Sequence, residues 1–199
     1  VLDPLLSMIV MTIVFSAMFQ RNIVNFPVYL FCGQLLFNFM KISTAQAMHS
    51  INVNGALIKK AYVPKYIFTF SKVVSTLIDL LFNLVALIFI MFITRAKFSI
   101  YNLLFPFVLL QIFGFSLGLG LFLAQANVFF KDVQHIYNAV MMAWMYLTPI
   151  FYPIESLPQT VRFAILYFNP MYYYTKQFRD IFYIGTFPQW EYVIAGCIA

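Results

Sequence analysis

Residues 67–93 read IFTFSKVVSTLIDLLFNLVALIFIMFI, an apolar run whose only charged residues are Lys72 and Asp79. A bilayer core takes about 20 mostly apolar residues per helix, so this run can cross, tilt or protrude. Further apolar runs lie at residues 8–19, 28–40, 103–126 and 136–151. Of the 199 residues, 63% are hydrophobic and 9% charged, and a soluble domain of this size has too little interior to hide so much apolar surface. The fold class that follows is all-α integral membrane, a single transmembrane domain over 1–199 with about six spans. The chain reads as truncated at both ends, because it opens beside a span and closes inside a new apolar run.

Composition also excludes functions. No Gly-x-x-x-x-Gly-Lys-Ser/Thr phosphate loop is present, so the chain does not bind and hydrolyse nucleotide by that route. Cys32 and Cys197 lie far apart in apolar surroundings and read as small hydrophobes. His49 and His135 lack ligand-spaced partners, so no metal site is expected. The net charge of +6 sits in short loops at span ends, which is membrane-protein usage and not a nucleic-acid footprint.

Along the chain, spans are expected at residues 5–19, 27–49, 66–94, 102–126 and 136–151, with a last one starting near Tyr192. Asn102 can cap the fourth, and Pro106 falls in its first turns. Residues 148–188 are rich in Pro, Tyr and Phe, too broken for a span and too aromatic for a disordered loop. They predict two short re-entrant helices at one face of the membrane before the last span. The polar loops at residues 52–65 and 127–135 then share a side. That side carries Lys59, Lys60, Lys65 and Lys131, and the positive-inside rule leans toward making it cytoplasmic.

The first of these loops reads NGALIKKAYVP from Asn54 to Pro64. Residues 56–61 can form a short amphipathic helix ended by Pro64, either a docking element for a partner or an interfacial turn. In the second loop, which runs through Phe130 to Val133, Lys131-Asp132 reads as a surface pair or a helix cap, worth little in stability. Upstream, Gly114, Gly118 and Gly120 allow close helix approach or, less simply, a hinge.

The order of these motifs, followed by Thr148-Pro149-Ile150-Phe151-Tyr152-Pro153, Asn169-Pro170-Met171 and Phe178-Arg179-Asp180, resembles the type-2 ABC exporter permeases. It is most similar to the subgroup that exports O-antigen, teichoic acid and capsular polysaccharides. Lys131-Asp132 stands where that family commonly has Arg-Asp. Gly33-Gln34-Leu35-Leu36-Phe37 stands where a Trp often follows the Gly.

The resemblance implies a homodimeric, non-enzymatic permease in a bacterial cytoplasmic membrane. It would hold no cofactor of its own, with ATP bound by a separate ABC ATPase subunit. Its substrate would be a lipid-linked polysaccharide or polyol-phosphate polymer; an exporter of drugs or lipids and an ion-gradient flippase are the alternatives. Asn54, Gly55, Leu57, Ile58, Lys59 and Lys60 would be the coupling helix, with Phe130, Lys131, Asp132 and Val133 beside it. The Pro-rich region would gate the far side.

Two further sets of residues are candidates from chemistry. Aromatic faces stack on sugar rings, and conduction needs weak binding at many points. Of 25 Phe and 13 Tyr, those nearest the expected path are Phe37, Phe39, Tyr146, Tyr152, Tyr172, Tyr173 and Tyr174; the alternative is an interfacial aromatic belt. Lys41 and Asp79 are ionisable residues within spans at similar depth. Either they approach each other or a watery path, or Lys41 snorkels and Asp79 bonds a hydroxyl.

Overall fold

The computed structural model describes residues 25–60, 63–96 and 98–198, the side chain of Lys59 excepted. The first expected span, with Arg21, Lys97, Ala61 and Tyr62, lies outside the described residues. Those described are helical with connecting turns: α1 Phe26–Val53, α2 Gly55–Lys60, α3 Tyr66–Ile93, α4 Phe105–Phe129, α5 Val133–Leu147, α6 Gln159–Phe168, α7 Pro170–Arg179 and α8 Trp190–Ile198. A 3-10 turn, Ile100–Leu104, leads into α4, and a π turn, Asp180–Ile184, continues α7. By length and composition, Tyr66–Ile93 and Ile100–Phe129 can each cross a membrane.

The core packs α1, α3 and α4 together, with α3 antiparallel to α1 and α4 parallel to α1. α1 is buried on most of its circumference, from Phe26 and Val28 to Ala47 and Met48. α3 buries one stripe, Val73, Leu80, Leu84, Leu87 and Met91, and turns Leu81, Phe82, Val85, Phe89 and Phe92 outward. Exposed apolar residues in such number on a long helix suit contact with lipid. α4 meets α1 at Gly120, and Ser116, one turn earlier on α4, is buried as well. A Cβ on Gly120 would lie 2.8 Å from the Ala47 Cβ, so only glycine lets these backbones come this close. The structure thus splits the glycine stripe: Gly120 packs, while Gly114 and Gly118 border an open groove of about 630 Å³.

Four expectations on boundaries are corrected. Ser99, not Asn102, caps the turn before α4, accepting from the Tyr101 amide, while Asn102 points its amide at the carbonyls of Ser99 and Ile181. The loop expected from Asn127 begins at Phe130 instead, because Asn127 is buried in α4 and donates to the Met48 carbonyl at 3.1 Å. α1 runs on to Val53, past the expected end at His49. The fifth helix stops at Leu147; its 15 residues give about 22 Å, short of a bilayer core of about 30 Å. Thr148 ends it by leaving helical geometry just before Pro149, as residues preceding proline tend to do.

The Pro-rich region does form two short helices. Asn169 separates α6 from α7, and its side chain caps α7 by accepting from the Met171 amide, with Pro170 at the first helical position. A small cluster of Ile154, Ile165 and Tyr172, with Leu157, Leu166, Tyr173 and Tyr192 around it, holds the hairpin together.

Candidate functional site

Two ends of the bundle carry distinct chemistry. At one end, the Ser50 and Thr69 hydroxyls lie 2.9 Å apart and Asn127 reaches Met48, which ties the end of α1, the start of α3 and the end of α4 together. Both polar loops therefore leave the bundle from this end. Asn54 is the pivot: its amide donates to the Ser50 carbonyl at 2.8 Å, while its own carbonyl accepts from the Leu57 and Ile58 amides at 3.0 Å. That closes α1 and starts α2 in one residue. Gly55 and Ile58 are half-buried, Lys60 is exposed, and Leu57 is 57% exposed. Phe130 is 69% exposed beside exposed Lys131 and Asp132, with Val133 half-buried as α5 begins. Two large apolar side chains set among charges at one end make a surface suited to a protein partner.

The other end is organised by Arg179, which is 6% exposed. Its Nη1 donates to the Pro149 carbonyl at 2.7 Å, its Nη2 to Ile150 at 2.9 Å and its Nε to Tyr29 at 3.3 Å. The guanidinium carbon sits 3.5 Å from the centre of the Tyr29 ring. One cation thus joins the start of α1, the Thr148–Pro149–Ile150 turn and the end of α7. A Cβ on Gly33 would lie 2.9 Å from Arg179 Nη2 and 3.2 Å from Ile150 Cγ2, so glycine makes room for the guanidinium. Carbonyls, not a carboxylate, satisfy this cation. The adjacent Asp180 pairs with Lys176 at 2.9 Å instead. A fork of rigid N–H donors matches three divergent carbonyls in a way that an ammonium cannot.

Asn169 is a second connector at this end. Its Oδ1 accepts from Trp144 Nε1 at 2.9 Å as well as from Met171, and its Nδ2 donates to Thr148 Oγ1 at 3.0 Å. The hairpin is therefore fixed to the end of α5 as well as to α1.

The aromatic candidates separate by burial. Phe37 and Tyr174 are core residues, 1% and 0% exposed, and Tyr174 donates to the Gly196 carbonyl. Tyr172 is buried against Tyr173 and Tyr192, and Phe39 is buried at the edge of a cleft between α1 and α3. Tyr146 is 61% exposed. Tyr152 is half-buried with its hydroxyl on the Tyr146 carbonyl, and Tyr173 is half-buried with its hydroxyl on Leu166. Lys41 and Asp79 are both exposed and form no ion pair with each other; among the described residues the ion pair is Lys176–Asp180. Asp79 opens instead into the cleft that Phe39 borders, beside Gln34, Asn38 and Asn83.

Sequence reasoning did not single out Arg179, Asn169 or Gly33 for these roles. A cation in an aromatic, proline-rich stretch was the available signal for Arg179, since such a residue needs a partner when buried.

A family model described as ABC-2 type transporter matches residues 2–183. The O-antigen export system permease protein RfbA of Myxococcus xanthus is 30% identical over 196 residues, covering 98% of this chain and 75% of that protein. Two proteins of the same name from Klebsiella pneumoniae are 24% and 23% identical, over 97% and 96% of this chain and 74% and 73% of theirs.

Proposed function

Since this chain belongs to the ABC-2 type transporter family, whose membrane permeases work with an ATPase subunit, we propose that it exports a lipid-linked polysaccharide of the O-antigen class across a bacterial inner membrane. The substrate class is supported by the relatives' names and by their likeness over nearly the whole chain. On this reading two copies form the path. The end carrying α2 and the Phe130–Val133 turn is cytoplasmic and seats the ATPase. The α6–α7 hairpin lies at the opposite face and gates exit, and partly open Tyr146, Tyr152 and Tyr173 touch the polymer there.

The observation that carries the reading is the shared end. Leu57 and Phe130 are exposed apolar residues on two loops that leave the bundle together, where a soluble subunit can meet both. ATP-driven movement needs a rigid lever, and Asn54 supplies one by bonding α1 to α2 on both sides of the turn.

The test is co-purification with the ATPase encoded beside it, comparing wild type with Leu57→Asp/Ile58→Asp. The wild type retains the ATPase, and the variant releases it while still inserting in the membrane. Retention by the variant would move the contact off α2, and no association in wild type would defeat the reading.

A further inference from the structure

Building on the proposed export of a polysaccharide, we infer that the polymer makes passing contacts within the membrane with a polar seam between α1 and α3: Gln34 and Asn38 facing Asp79 and Asn83, with Lys41 at similar depth. Of the aromatic candidates, Phe37, Phe39, Tyr172 and Tyr174 are buried, and the open ones, Tyr146, Tyr152 and Tyr173, lie toward the hairpin end, so contact at mid-membrane falls to other residues.

The seam follows from register. The Ser50–Thr69 hydroxyl contact sets two antiparallel helices, and ten residues further along each brings Met40 level with Asp79. Asn38 and Lys41 therefore flank Asp79 in depth. Gln34, Asn38 and Lys41 recur at i, i+4 and i+7, as one stripe of α1, and Asp79 and Asn83 at i and i+4 on α3. None of the five is buried, although most of α1 is. Asp79 lies at the midpoint of Tyr66–Ile93, about 20 Å from either end.

A carboxylate at that depth is not a lipid-facing group; even insertion-based scales place its cost at about 2.5–3.5 kcal/mol there. Among the described residues neither Asp79 nor Lys41, near the same depth, forms an ion pair. The Asn83 Oδ1 is buried without a hydrogen-bond partner. Gln34, Asn38, Asp79 and Asn83 border a cleft of about 60 Å³ that Phe31 and Phe39 also line. Amides that donate and accept one helical turn apart, together with a carboxylate, suit a hydroxyl-rich chain. Each contact exchanges with water, so none holds the polymer long enough to stall it. The cleft is too small to enclose a sugar, which favours passing contact along its rim over capture.

The experiment is thiol accessibility in membranes containing the permease with its ATPase. Cys197→Ser removes the exposed thiol, and Cys32 is buried. Asn38→Cys, Asn83→Cys and, as a control on the outward face of α3, Phe89→Cys are each labelled with the charged reagent methanethiosulfonate ethylsulfonate. Each variant is used once it co-purifies with the ATPase. Labelling is compared between cells that make the polymer, with a hydrolysis-deficient ATPase to hold it in place, and cells lacking polymer synthesis. Because the thiolate is the reacting form and needs water, positions 38 and 83 should react at least about 10-fold faster than position 89 and slow about 10-fold when polymer is held. Equal rates at all three positions would mean a seam sealed from water and would overturn the inference. Fast labelling that polymer does not slow would also overturn it. Absence of export by the unmodified complex in the same cells would remove the functional reading itself, a result separable from either labelling outcome.

Discussion

Replacing Arg179 by Met removes the three bonds that join α1, the Thr148–Ile150 turn and α7, while keeping much of the side-chain volume. The carbonyls of Pro149 and Ile150 are left without this donor in a buried site, at about 1–3 kcal/mol each. The stacked contact with Tyr29 adds about 0.5–2 kcal/mol. Against this, the variant no longer buries a cation, which returns several kcal/mol of lost solvation. The balance expected is a net destabilisation of about 2–4 kcal/mol, because most of what is lost is carbonyl satisfaction that Met cannot replace. For a chain of this size that is a fall of roughly 5–15 °C in melting temperature.

Arg179→Lys should fall between, since one ammonium cannot span three carbonyls. Gly33→Ala attacks the same site from the other side: its Cβ meets Nη2 at 2.9 Å, an overpacking cost of about 1–3 kcal/mol. The double variant Gly33→Ala/Arg179→Met should lose less than the sum, because the atom that clashes has gone. The assay is the loss of monodisperse protein after heating in detergent, read by size exclusion for all four variants. An Arg179→Met variant as stable as wild type, or strict additivity in the double variant, would refute the idea that the guanidinium is the fastening of this end.

The remaining predictions use the same logic elsewhere. Gly120→Ala should cost about 1–3 kcal/mol by forcing its Cβ to within 2.8 Å of the Ala47 Cβ, and Ala47→Gly in the same chain should recover most of it; heat stability of the single and double variants checks this. Asn169→Ala leaves the indole N–H of Trp144 and the amide of Met171 unpaired, at about 1–3 kcal/mol each, and protease nicking of the α6–α7 hairpin should rise accordingly. Tyr146→Ala, at a 61% exposed position, should leave heat stability within about 0.5 kcal/mol of wild type but lower polymer export several-fold; unchanged export would take Tyr146 off the path.

The sequence by itself determined the solvent and the class of element. A chain 63% hydrophobic and 9% charged has no aqueous interior in which to pack, and its apolar runs fold as helices because lipid cannot satisfy a bare backbone. It also determined local punctuation, such as the short helix after Asn54, since turn residues and prolines act within a few residues. Only the tertiary structure decided which faces meet. α4 is apolar all round, so nothing along it marks the Ser116–Gly120 stripe as the packed one and the Gly114–Gly118 stripe as open. Tyr174 and Tyr146 read alike as aromatics near the far side, yet one has no exposed surface and the other is 61% exposed. Arg179 finds its partners at sequence separations of 150, 30 and 29 residues. Helix periodicity is a property of neighbours three and four apart, whereas a cation's carbonyl partners and a glycine's close approach depend on which helices stand side by side.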